Sequence, residues 1–293
     1  MKAQKNVLFL TNFSEACFKA IPTLSEWMDR EEGHLTILHV HGEGRKDEAE
    51  ASQRMRSFFA EADRYTKCDR VLLSGVPARV VLDYCRQERP QMVFAPASHL
   101  TGLPRFRHKS LRAALLRHAR VRIWTRGRNG NGSTPRRSPE NIVYVITGHA
   151  DWMQEAQLAA RLALRHRARL HLVHLTPVQD IHDGTFASEI GIGQPNVSTK
   201  ALLKLIASLP VAPVIHSSTG NEVRELPRLL HECNADMVFL GERHAVCRGV
   251  LGTSMNPDLE KLGNEVICFP DAAPTPEQTR DAESFVLLPS YIR

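Results

Sequence analysis

The sequence predicts an α/β protein made of two tandem doubly wound units, each built on five parallel strands. Two observations carry that reading. The first is a repeat. Asn6-Val7-Leu8-Phe9 returns as Asn141-Ile142-Val143-Tyr144, and Leu35-Thr36-Ile37-Leu38-His39-Val40 returns as Leu170-His171-Leu172-Val173-His174-Leu175, both at an offset of 135. Gly75 and Gly220, Met92-Val93-Phe94 and Met237-Val238-Phe239, and Val121 and Val266 match at 145. One insertion of ten residues between 176 and 215 therefore aligns both copies. The second observation is the alternation of short, almost continuous apolar runs with helix-sized segments. Such runs mark strands covered on both faces, and crossovers of that length imply parallel pairing with right-handed connections.

Taken in order, the first copy reads as strand 6–11, helix 14–30, strand 35–40 and a charged helix over 46–65. Strand 70–74, helix 77–88, strand 91–95, a long loop, helix 110–118 and strand 121–125 complete it. The second copy has strands near 141–147, 170–175, 213–217, 236–240 and 265–269, with helices near 151–166, 199–208, 222–233 and 255–262. Pro77 opens its helix, where a missing N–H costs little, while Pro227 predicts a late start or a kink. The run Arg126-Gly127-Arg128-Asn129-Gly130-Asn131-Gly132-Ser133-Thr134-Pro135 has the composition of a flexible linker. The expected organisation is a first domain over 1–126, a linker over 127–139, a second domain over 140–271 and a tail over 272–293.

With 293 residues, 42% of them hydrophobic and 24% charged, the chain suits two ordinary domains. No apolar run approaches the roughly 20 residues that cross a bilayer, so no membrane contact is expected. Asn12 and Glu15 interrupt the opening apolar stretch, which reads as the first strand of a cytoplasmic protein rather than a leader. The six cysteines form no CxxC pair and read as buried reduced thiols. His39 and His41, and His166, His171 and His174, fall on or beside equivalent strands. No carboxylate or cysteine stands at ligand spacing from them, so no metal site is expected.

The residues resemble the universal stress protein family in its tandem form. The resemblance rests on Leu8-Phe9-Leu10-Thr11-Asn12-Phe13-Ser14-Glu15-Ala16, Leu35 to Val40, Ser74-Gly75 and Met92-Val93-Phe94-Ala95-Pro96-Ala97-Ser98-His99, followed by the last helix and strand. It covers nearly all of 5–125 and 140–270, and it implies the adenine-nucleotide alpha-hydrolase-like fold. It also implies a built-in dimer, with Val121-Arg122-Ile123-Trp124 paired to Val266-Ile267-Cys268-Phe269. In ATP-binding members an Asp ends the first strand, and a Gly-x2-Gly-x9-Gly-Ser/Thr loop follows the fourth. Glycines let backbone amides approach phosphate there, and a helix N-terminus favours the anion. In this chain the Asp positions hold Asn12 and Thr147. The glycine positions hold Pro96, His99 and Lys109, with Ser110 retained, in the first copy, and Gly241, His244 and Ser254, followed by Met255, in the second. Gly249, Gly252 and Thr253 lie outside the family register. His99 and His244 read either as ligand-contacting, pH-sensitive groups or as inherited loop residues.

Residues 105–137 contain eleven Lys and Arg, among them Arg105, Arg107, Lys109, Arg112, Arg117, Arg120 and Arg122, and no acid. The segment supplies much of the net charge of +6. Such a field suits an anionic ligand or an acidic partner, against the plainer reading of a solvated face. No GxSxG, Walker or HExxH motif occurs, and Asp83, Asp151 and Glu242 read as surface acids, so no catalytic residue is expected. The leading expectation is a non-enzymatic stress-response binding module with lost or altered ATP binding. The alternatives are an adenine-nucleotide binder or slow ATPase with an altered loop, and a nucleic-acid-associated protein using the basic segment.

Overall fold

A computed structural model of the chain describes residues 5–30, 33–64, 67–96, 111–126, 138–146, 152–176, 199–219, 222–249, 252–255 and 264–270. In chain order the first repeat has β1 (Lys5–Leu10), α1 (Glu15–Arg30), β2 (Gly33–His41), α2 (Arg45–Ser57), a 3-10 turn (Ala60–Arg64), β3 (Cys68–Ser74), α3 (Pro77–Glu88) and β4 (Met92–Phe94). Helix α4 (Leu111–Ala114) continues as a π turn (Leu115–Ala119) and leads to β5 (Arg122–Arg126). The second repeat has β6 (Asn141–Val145), α5 (Trp152–His166), β7 (Arg169–Thr176), α6 (Thr199–Ser208), β8 (Val214–Thr219), α7 (Glu222–Glu232) and β9 (Met237–Gly241). A short α8 (Glu242–Ala245), a hairpin of β10 (Val246–Gly249) and β11 (Gly252–Met255), and β12 (Glu265–Phe269) follow.

Two compact units result. One comprises Met1–Arg137 with Glu242–Arg293, the other Ser138–Gly241. In the first unit the strand order is β3-β2-β1-β4-β5-β12. Strands β1 to β5 are all parallel, and β12 runs antiparallel to β5, with Val266 opposite Thr125, Ile267 opposite Trp124 and Cys268 opposite Ile123. The expected doubly wound α/β architecture is present. Apolar residues on both faces of β1 and β2 are buried, among them Leu8, Phe9, Ile37 and Leu38, as parallel strands between helix layers require. Helix α1 buries Cys17, Ala20, Leu24 and Met28, one stripe at helical spacing. Gly75 closes β3 at a φ of +127°, a conformation that L side chains rarely adopt, and its N–H donates to His41 O at 3.0 Å.

The second unit repeats the order as β8-β7-β6-β9, all parallel. Its α5 presents Ala156, Ala159, Ala160 and Ala163, all buried, so the helix backbone approaches the sheet closely. The Tyr144 hydroxyl donates to Trp152 O at 2.8 Å, which satisfies a polar atom within that layer.

The structure departs from the expected elements in two places. The charged helix ends at Ser57 instead of running to 65, because Phe58 and Phe59 turn into the core and Phe59 takes a φ of 50°. Met255 ends β11 and does not open a helix: residues 246–249 and 252–255 pair antiparallel, with Gly249 opposite Gly252. The rest of the expected helix, 256–262, lies outside the described residues. Helix α7 begins at Glu222 and runs through Pro227, without the late start that the proline suggested.

Candidate functional site

In the first unit strand order reverses between β1 and β4, so the crevice beyond their carboxyl ends is where an open α/β sheet takes a ligand. The chain leaving β1 beside that crevice packs against β2 and the end of α2. Thr11 is buried, and its Oγ1 accepts the Phe13 N–H at 3.0 Å. Phe13 adopts a φ of 58° and is buried, its ring 4.4 Å from that of His39 and 5.5 Å from that of Phe58. The Arg54 guanidinium lies 4.8 Å from the Phe13 ring centroid and donates to Phe13 O at 3.4 Å. His39 Nδ1 sits 2.7 Å from Thr11 O. Burial holds the His39 pKa below its ordinary value, with His41 and Arg54 pushing the same way against the raising effect of the Thr11 hydrogen bond. The imidazole is therefore neutral near pH 7.

Asn12 is exposed, but its Oδ1 accepts the Ser14 N–H at 3.0 Å and faces the Cys17 thiol donor at 3.2 Å. That is an Asx turn leading into α1, so the side chain serves the helix start. Across the crevice, Ala95 N–H donates to Trp124 O at 2.9 Å, and Pro96, half-buried, has no N–H to give. His99, Lys109 and Ser110 lie outside the described residues.

In the second repeat Thr147 also lies outside them. Gly241 is buried as the last residue of β9, His244 is carried by α8, and Ser254 stands in β11 opposite Cys247. The structure thus places these three loop positions on three different elements. Glu242 is not the surface acid its sequence context suggested. Its Oε1 meets Arg117 Nε at 3.2 Å, with the two side chains 13% and 4% exposed. The reason is local: Arg117 lies on the buried turn after α4 and needs a counter-charge.

Of the basic segment, Arg105, Arg107, Lys109 and residues 127–137 lie outside the described residues. Several of the remaining arginines are engaged within the first unit. Arg112 donates to Thr125 Oγ1 at 2.8 Å, Arg117 pairs with Glu242, and Arg122 lies 5.7 Å from the Phe269 ring centroid.

A third location was not legible from residue spacing. In the second unit His171 on β7, His216 on β8 and Cys233 after α7 converge, with donor atoms within 4.8 Å of one another. His171 Nδ1 is 2.9 Å from His216 Nε2, and Cys233 Sγ is 3.5 Å from the same nitrogen. The other nitrogen of His171, Nε2, is 3.2 Å from Asn141 Oδ1, and Asn141 Nδ2 donates to Asn234 O at 3.3 Å. Burial, then His216 and Arg169, bring the His171 pKa down to about 4. Burial pushes the Cys233 thiol up, and Glu232 adds to the rise. Comparing the repeats supplies the signal that spacing lacks. At the 135 and 145 offsets the first copy has Thr36, Val71 and Glu88, so the two histidines and the thiol are specific to the second copy.

No protein-family model matches the chain, and no curated protein matches its sequence. Among solved structures, a universal stress protein from Archaeoglobus fulgidus is similar at a TM-score of 0.62 and 15% identity, over 91% of this chain and 96% of that one. A functionally unknown protein from Pseudomonas aeruginosa gives 0.59 and 14%, over 97% of each chain. The cytoplasmic domain of a prokaryotic cation chloride cotransporter gives 0.51 and 14%, over 94% of this chain and 99% of that one. At these identities the likeness is one of fold. The chain has the α/β fold of universal stress proteins over most of its length.

Proposed function

We propose that the chain is a non-enzymatic tandem universal stress protein, a cytoplasmic binding module of the stress response whose ATP site is lost or altered. The observation that carries this reading is the crevice of the first unit. Phe13 is packed into the carboxyl end of β1 against His39 and Phe58, Asn12 is committed to the start of α1, and Pro96 withholds a backbone donor where phosphate would need one. The family fold supplies the scaffold, while these side chains argue against the usual nucleotide chemistry. The β5–β12 pairing supports a built-in dimer of repeats, since it covers an edge that would otherwise recruit another chain. No described helix is long and apolar enough to cross a membrane.

A thermal-shift titration with Mg-ATP tests the proposal. A ligand present at 100 times its Kd stabilises the native state by about 2.7 kcal/mol, an easily read shift. The expected result is no saturable shift at millimolar nucleotide. A saturable shift that Lys109→Ala or Ser110→Ala removes would replace this reading with that of an adenine-nucleotide binder.

A further inference from the structure

We propose that His171, His216 and Cys233 bind one thiophilic metal ion, Zn2+ by the chemistry of the donors, at the amino ends of the strands in the second unit. The fold sets this place apart from the nucleotide crevice. His171 is the third residue of β7 and His216 the third of β8, while Cys233 lies between α7 and the start of β9. Val173 pairs with His216, so His171 and His216 project from the same sheet face, two positions apart along the register. Cys233 reaches them from the end of the helix on that side. Their sequence separations of 45 and 17 residues explain why no ligand spacing announced them.

Geometry and donor type agree with the assignment. Two imidazoles and a thiolate select Zn2+ or a similarly soft ion over Mg2+ or Ca2+, which require oxygen. A tetrahedral zinc with Zn–S about 2.3 Å and Zn–N about 2.0–2.1 Å separates S from N by roughly 3.5 Å, and Cys233 Sγ lies 3.5 Å from His216 Nε2. The two ring nitrogens, 2.9 Å apart, stand at hydrogen-bond distance. They must open by roughly half an ångström to share an ion. The half-buried His216 on the outermost strand of the unit's sheet has the freedom to do this.

The surroundings of His171 fit as well. With its Nε2–H donated to Asn141 Oδ1, its Nδ1 lone pair faces the cluster, the arrangement by which ligating histidines are held in one tautomer. The Asn141 amide is oriented in turn by its own bond to Asn234 O. On binding, Cys233 releases its thiol proton to solvent, and His216 carries its proton on Nδ1 instead of Nε2. Three protein donors leave the fourth position of the tetrahedron to water or a small ligand.

Co2+ replaces Zn2+ with a visible spectrum and provides the test on the full chain after chelator treatment. One equivalent of Co2+ is expected to give the intense bands of a tetrahedral site with a thiolate-to-cobalt charge-transfer band, all displaced by one equivalent of Zn2+. Cys233→Ser should remove the charge-transfer band. Asn141→Ala should weaken binding by about 10–100-fold, the usual effect of losing an orienting partner. Cys85→Ser, in the first unit, should change nothing. If Cys233→Ser does not fold by circular dichroism, His216→Gln at the half-buried ligand gives the same reading through a loss of affinity of at least about tenfold. A wild-type chain without these bands, or bands that survive both ligand substitutions, overturns the proposal.

Discussion

Glu265 shows how one titratable group is tied to the fold. It opens β12, and its carboxylate accepts the Thr23 hydroxyl at 2.6 Å and lies 3.4 Å from Trp124 Nε1. Burial raises its pKa, and Glu26 adds to the rise, while the Thr23 and Trp124 donors and Arg126 pull the other way. Because the folded value exceeds the unfolded one, the native state holds the proton more tightly. The associated stability is complete below about pH 4.5 and is lost as pH rises through the folded pKa. Glu265→Gln should therefore gain in melting temperature relative to wild type between pH 4 and pH 7, and a difference constant with pH would refute the argument. Arg117 and Glu242 make the opposite case, a charge pair kept out of water on both sides. Glu242→Ala should cost about 3–5 kcal/mol in urea unfolding, and adding Arg117→Leu should recover much of it, because the penalty is that of a charge buried without its partner. The identities of Asn12 and Pro96 were informative in the sequence itself. Phe13 was not, since nothing in its neighbours announces a left-handed backbone that turns the ring inward.

At the level of elements, the strands were legible because their apolar runs have one use, burial on both faces. The centres of β1, β2, β4, β6, β7 and β9 fall where the repeats place them. Element ends followed tertiary demands instead. Phe58 and Phe59 belong to an apolar pair that the charge pattern around them obscured, and their burial ends α2 early. The first-repeat positions equivalent to the β10–β11 hairpin, 101–104 and 107–110, lie outside the described residues. The pairing of β5 with β12 is the element on which most rests. Trp124 is 1% exposed, stacks on Phe94 at 5.0 Å and stands opposite Ile267. Trp124→Asp removes that ring and buries a carboxylate among apolar neighbours, a loss above about 4 kcal/mol. The expected outcome is a melting temperature lower by more than about 8 °C or a chain without a cooperative transition; an unchanged transition would contradict the packing described.

For the whole molecule, the repeats and the compact units divide the chain differently, and the difference is testable. A repeat boundary at 126 gives the first copy all five of its parallel strands. The compact unit that contains them also draws on residues after Gly241, because β12 lies along β5 and Glu242 pairs with Arg117. A chain ending at Arg137 keeps the core around Phe9, Phe94 and Leu38 yet exposes the outer edge of β5, with Ile123 and Trp124 beside unpaired backbone groups. It also removes the acid that faces the buried Arg117. An exposed apolar edge strand recruits a second copy or aggregates. Expressed alone, residues 1–137 should therefore elute as dimers or larger species by size-exclusion chromatography with light scattering, with a lower urea midpoint than the full chain. Charged substitutions on β5 such as Ile123→Lys should shift the species toward monomer at a further cost in stability. A monomeric 1–137 as stable as the intact chain would mean that the five parallel strands suffice and that β12 is an accessory to a domain already complete at residue 126.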